Sequence, residues 1–109
     1  MAATYNITIN QNADFIRSFQ VKENNVILNI TGYTFTGRLQ SSFHVATYVD
    51  FVATITDGPA GTFTLALADS VTAAMTPGTW VYDIIMQDTA TIKTRLLNGN
   101  AFIMQGVTP

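Results

Sequence analysis

Nowhere in this chain does an apolar pattern of helical period run beyond two turns, whereas period-two alternation recurs from end to end. Alternation sends successive side chains to opposite faces of a strand, so the chain must bury one face of many short strands. Turn signals separate these runs every eight to twelve residues. That spacing predicts a sandwich or a barrel.

The stretch from Asp57 to Gln87 narrows the choice. Asp57-Gly58-Pro59-Ala60-Gly61 is a dense turn, and Thr62 to Leu67 then alternates large with small residues. Asp69 to Met75 closes a short helical turn ended by Pro77-Gly78, and Thr79 to Met86 is the most hydrophobic strand candidate. A helical turn between two strands suits a crossover between sheets. The expectation is an all-β, immunoglobulin-like β-sandwich of about eight strands, with one helical turn near 69–75.

Other runs fill in the strands. Tyr5, Ile7 and Ile9 alternate with Asn6, Thr8 and Asn10. Phe15, Phe19 and Val21 share a face with Arg17, whose stem is expected to pack there while its head reaches solvent. Tyr33, Phe35 and Leu39 point inward, and Gly37 between them marks a bulge or a close approach. Thr47 to Thr56 reads as one strand with Val49, Phe51, Ala53 and Ile55 on one face. Gln87 to Thr91 is a hairpin loop. Asn98-Gly99 is the strongest hairpin signal, because both residues tolerate the positive φ of a type I′ turn. The first strand (4–10) and the last (100–105) carry little charge and, at sheet edges, would be candidates for pairing with another chain.

Composition bounds the function. A length of 109 residues predicts a single domain over 1–109, large enough for a core without staples. Cysteine is absent, and charged residues are only 11% of the chain, so Thr, Asn and Gln must cover the surface. A net charge of −2 gives copies little mutual repulsion. Three Arg and two Lys, scattered along the chain, make no basic stripe for nucleic acid. No apolar run approaches the roughly 20 residues of a membrane span. Residues 1–6 lack the basic and apolar regions of a signal peptide, so synthesis in the cytoplasm is expected.

Chemistry-bearing residues are few. His44 is the only histidine, sits in a loop, and has no nucleophile elbow to serve. Zinc ligands are absent, and Asp57 and Asp88 lie in separate turns, so no metal or cofactor is expected. Asp50 and Asp83 are strand carboxylates, read as solvent-facing rather than as a glycosidase pair. Trp80 is expected in the core, Tyr82 as a corner anchor through its hydroxyl, and Tyr48 outside. The chain reads as no enzyme.

The run Tyr5 to Phe15 resembles the start of small β-sandwich domains in tailed-bacteriophage virion proteins, where a strand enters a turn of the form Gln-Gly-x-x-Phe. Asn12 stands here where glycine is usual. Leu28 to Leu39, with Thr31-Gly32-Tyr33-Thr34, is similar to their next element. The order Gly61 to Leu67, Thr72-Ala73-Ala74, then Pro77-Gly78-Thr79-Trp80-Val81-Tyr82-Asp83-Ile84 matches too. So does the ending from Leu96-Leu97-Asn98-Gly99 to Val107-Thr108-Pro109. The chain is also similar to the N-terminal sandwich of upper baseplate proteins in phages of Gram-positive hosts.

The resemblance implies a non-enzymatic structural protein of a virion: a tail or baseplate component, or a capsid decoration protein. Its partners would be other virion proteins and copies of itself. With nothing after Pro109, a stand-alone piece is expected rather than the attachment part of a receptor-binding chain. Interface residues are expected at Thr4, Tyr5, Asn6, Arg17, Tyr48, Val107, Thr108 and Pro109, with residues 1–4 and 106–109 as arms that order on a neighbour. The rival expectation is a carbohydrate-binding module for host-surface glycans, which needs an exposed aromatic platform.

Overall fold

The computed structural model describes residues 3–41 and 48–107. In chain order the strands are β1 (Ala3–Thr4), β2 (Ile7–Asn10), β3 (Phe15–Gln20), β4 (Lys22–Glu23), β5 (Val26–Ile27), β6 (Thr34–Gln40), β7 (Tyr48–Asp50), β8 (Val52–Asp57) and β9 (Thr62–Leu67). A helical turn, α1 (Asp69–Ala73), precedes the long β10 (Gly78–Gln87) and β11 (Lys93–Met104). The larger sheet runs β1-β11-β10-β6-β7, with β2 continuing β1 along the same edge of β11. The smaller sheet runs β3-β9-β8, and β4-β5 is a separate hairpin turned by Asn24 and Asn25, both at positive φ. This is the all-β sandwich that alternation requires.

The core lies where the inward faces of the two sheets meet. Leu65 and Phe63 of β9 face Phe35 and Leu39 of β6 and Ile84 of β10, all buried. Phe63 stacks on Phe35 at 4.2 Å between ring centroids and on Phe19 at 5.6 Å. Trp80 is buried in the core as expected, its indole N–H donating to the Thr76 carbonyl at 3.0 Å.

The helical turn carries the chain from the smaller sheet to the larger one, as the sequence suggested, but is shorter than 69–75. It is bolted to the turn between β2 and β3. The Asp69 N–H donates to Asp14 Oδ1 at 2.8 Å, the fully buried Thr72 hydroxyl donates to the Ala13 carbonyl at 2.9 Å, and Gln11 Nε2 donates to the Met75 carbonyl at 2.7 Å. Crossover and first turn therefore form one unit.

Three expectations are corrected. Residues 47–56 are not one strand in one sheet. The chain pairs with β6 as β7, bends at the buried Phe51, and pairs with β9 as β8. Asn98-Gly99 is not a hairpin turn either, because β11 runs through it without reversing. The turn at Asp88, where Asp88 Oδ1 accepts the N–H groups of Ala90 and Ile92, launches a ribbon long enough that both halves of β11 pair with β10. The ribbon absorbs one irregularity, a bulge between Ile84 and Ile85 opposite Leu96. Finally, residues 100–105 are no edge, since β11 lies between β10 and the N-terminal strands. Of the two, only the N-terminal strand lies at an edge.

Gly37 is a close approach of side chains. A Cβ there would lie 2.5 Å from Ile84 Cδ1 and 2.8 Å from Phe51 Cδ2, at the point where the β7–β8 strand changes sheets. Phe51 is also held by its N–H, which donates to the Gly37 carbonyl at 2.9 Å. Gly37→Ala should therefore lower stability by about 1–3 kcal/mol in urea denaturation, an overpacking cost. An unchanged midpoint would mean that Phe51 does not fix the corner.

Candidate interaction surfaces

Of the residues expected at an interface, the fold brings four together. The carbonyl of Tyr5 sits where a Cβ of Gly99 would be, so only glycine fits opposite it. That carbonyl accepts a hydrogen bond from the buried Tyr82 hydroxyl, and the Tyr5 N–H donates to the Asn98 carbonyl at 2.9 Å. Arg17 Nη1 reaches across from the smaller sheet to the Tyr5 hydroxyl at 2.7 Å, and the Tyr5 ring meets Phe19 edge-on. Asn6 Oδ1 accepts the Asn100 N–H at 3.0 Å, filling the gap in the ladder between β1 and β2. Thr4 Oγ1 donates to Asn98 Oδ1 at 3.3 Å. The expected corner anchor at Tyr82 is present, and its target is the N-terminal strand.

The arms are partly corrected. Ala3 and Thr4 are in β1, parallel to Leu97 and Asn98. The Gly106 N–H donates to Gln11 Oε1 at 3.0 Å, so the chain is tied down as far as that residue. Val107 beyond it is 97% exposed. Thr108, Pro109 and His44 lie outside the described residues.

Tyr48 is exposed as expected, but at the opposite edge of the larger sheet. Arg38 lies over its ring, 3.8 Å from guanidinium carbon to centroid. The same guanidinium grips Asp50 through Nε at 2.7 Å and Nη2 at 3.4 Å. That hydrogen bond is the main cause of a raised Arg38 pKa; burial opposes it, and the charges of Asp50, Tyr48 and Asp83 add to it. Asn98, Asp83, Arg38 and Asp50 stand in one row across β11, β10, β6 and β7. The two strand carboxylates thus have Arg38 between them, and Asp83 also faces Arg95 at 3.5 Å.

Beside the row lies a shallow cleft of about 450 Å³, bordered by Thr4, Asn6, Asn98 and Asn100 on one side and by Arg38 and Gln40 on the other, with Val81, Asp83 and Gly99 between them. It joins the N-terminal edge to the Arg38 cluster. The sequence alone hides it, because Asn98-Gly99 has the composition of a hairpin turn. No local signal reveals it, because Ala101 to Met104 is an unbroken apolar run that suits a returning strand as well as a continuing one.

The outer face of the smaller sheet is different. The register aligns Ile16, Ala66 and Val52 in one row and Ser18, Thr64 and Thr54 in the next. Ile16 and Val52 are about two-thirds exposed, and neither row holds a charge. Among the described residues no cluster of His, Cys, Asp or Glu could hold a metal, and no helix is long and apolar enough to cross a membrane. No protein-family model matches the chain, and no curated protein matches it.

The Tyr82 anchor has a pH signature. Burial is the main cause that pushes its hydroxyl up to about 12; the neighbouring Tyr5 adds to this and Arg17 opposes it. A raised pKa means that the folded state favours the neutral hydroxyl. Its contribution is complete below the ordinary tyrosine value of about 10 and is lost as pH rises toward about 12. Tyr82→Phe should be less stable than the parent at pH 7, and the difference should shrink between pH 10 and 12. A constant difference over that range would show that the hydroxyl does not titrate with folding.

Proposed function

We propose that this chain is a structural module of a tailed-phage virion, without enzymatic activity, working by contact with copies of itself and with neighbouring virion proteins. It would serve as a tail or baseplate component or as a capsid decoration protein. The observation that carries this reading is the pair of uncharged rows on the outer face of the smaller sheet, exposed Ile16 and Val52 flanking Ala66 beside the Ser18–Thr64–Thr54 row. A face of this kind costs little to desolvate, because it strips water from no ion. The ordered resemblance to virion sandwiches supports the reading from the sequence side. A stapled N-terminal edge and a bolted crossover also suit a part that must hold its shape outside a cell.

Light scattering over a wide concentration range, followed by sedimentation with bare capsids and with tails, tests the reading. The expected result is mass that grows with concentration, or retention on one of the particles. A protein that remains monomeric and binds neither particle would sink it.

One feature favours a second reading, glycan binding. The cleft beside Arg38 presents planar amides, a carboxylate and Arg95, the groups that pair with vicinal hydroxyls, and its volume lies in the range of small-ligand sites. Of the aromatic platform that this role needs, Trp80 and Tyr82 are buried, whereas Tyr48 and Tyr5 are exposed at opposite edges of the larger sheet. Binding to a panel of host glycans, lost in Asn100→Ala together with Arg95→Ala, would establish this reading. The absence of any glycan that responds to that pair of changes would dismiss it.

A further inference from the structure

The four outer strand edges of the sandwich differ in how they are protected. At one edge of the larger sheet, the N-terminal strand is interrupted at Tyr5-Asn6 and leaves two short pieces. At the other, β7 is three residues long and carries the Arg38–Asp50 pair and Tyr48. In the smaller sheet, β3 carries Arg17, whose head is drawn over the edge to the Tyr5 hydroxyl. Short length, breaks and charged side chains are the usual means of keeping an edge from adding a strand. The remaining edge, β8, has no break and no charge along Val52 to Ile55; its one irregularity is the bulge at Thr56, just before Asp57.

β8 is six residues long, and its one charge, Asp57, stands at its end. Among the described residues β8 pairs with β9 alone, and none of them takes up the backbone N–H and C=O groups on its other side. Its inward side chains, Ala53 and Ile55, are only half-buried, although their neighbours Leu65 and Phe63 across the ladder are fully buried. The core is therefore open along this edge. The chemistry of such an edge admits one kind of occupant, an extended polypeptide strand.

We propose that this occupant is β8 of a second copy, paired antiparallel about a two-fold axis through Thr54. This rests on the structural reading above and names the surface that it would use. A two-fold contact must be self-complementary, and β8 is. Centring on Thr54 sets Thr54 opposite Thr54 and Ala53 opposite Ile55, with no like charges facing each other, and brings Val52 level with the bulged Thr56 at each end. It leaves each Asp57 beyond the paired run. Directly opposed residues share a face, so the two outer Thr-rich faces join, and the two half-buried Ile55 side chains gain cover from the added strand. Two three-stranded sheets become one of six strands.

The test uses the full chain. Thr54 points outward, so Thr54→Lys leaves the monomer core untouched but sets two ammonium groups against each other at the axis. Its dissociation constant, read by sedimentation equilibrium, should rise more than about tenfold over the parent. Circular dichroism and melting temperature serve as the folding control. Because the chain has no cysteine, Thr54→Cys gives a single thiol and an independent readout. Mild oxidation or a short bis-maleimide should convert it to covalent dimer, while Ser18→Cys on β3 and Thr8→Cys on β2 should remain monomeric. Self-association that persists in Thr54→Lys, or cross-linking at Ser18→Cys or Thr8→Cys in preference to Thr54→Cys, would overturn the β8 contact and leave the virion reading standing. A parent protein that stays monomeric yet binds capsids or tails would also overturn it alone. Only a monomer that binds neither defeats both.

Discussion

The stack of Phe63 on Phe35 is the contact on which the sandwich depends. Phe63 comes from the central strand of the smaller sheet and Phe35 from the larger one, with ring planes 14° apart. Phe63 also has Phe19 and Ile55 as its register partners on either side. One side chain thus touches both neighbours in its own sheet and the opposite sheet. A buried phenylalanine removes on the order of 150–250 Å² from water, so this junction fixes the spacing of the layers before any polar contact is made. The hydrogen-bonded features then hang from it. Phe19 carries the ring of Tyr5, and Tyr5 carries the N-terminal strand.

Much of this was legible from spacing. Phe63, Leu65 and Leu67 alternate cleanly and are buried together, and Trp80, Tyr82 and Ile84 do the same on β10. The crossover turn could be read because Pro77-Gly78 ends it and a strong strand follows. Tyr48 outside and Arg17 at the rim of an apolar face were likewise written in their positions. These are local properties of one strand seen from the side.

What failed was non-local. Asn98-Gly99 has the composition of a type I′ turn, and nothing within five residues contradicts that reading. The contradiction lies more than ninety residues away, in a Tyr5 carbonyl that needs the space a side chain would fill. The sheet change at Phe51 was hidden in the same way, since alternation continues through the bend while the hydrogen-bonding partner switches from β6 to β9. The row from Asn98 to Asp50 draws its members from four strands, and its charges pair only once the register is known. Strand identity is local, but adjacency is not.

The parallel run of the N-terminal strands against β11 has a mechanical meaning. Ala3 lies level with Leu97, and Asn10 with Met104, so the chain enters the larger sheet at one end and leaves it at the other. A force that draws the two ends of the molecule apart does not peel these strands open one bond at a time. It slides them lengthwise, and the two pairs of β1 and the four of β2 bear the load together. The Tyr82 hydroxyl and the Asn6 side chain act as dowels across the same seam. A module strung between neighbours would resist tension along this seam far better than a twist that unzips the seam from one end.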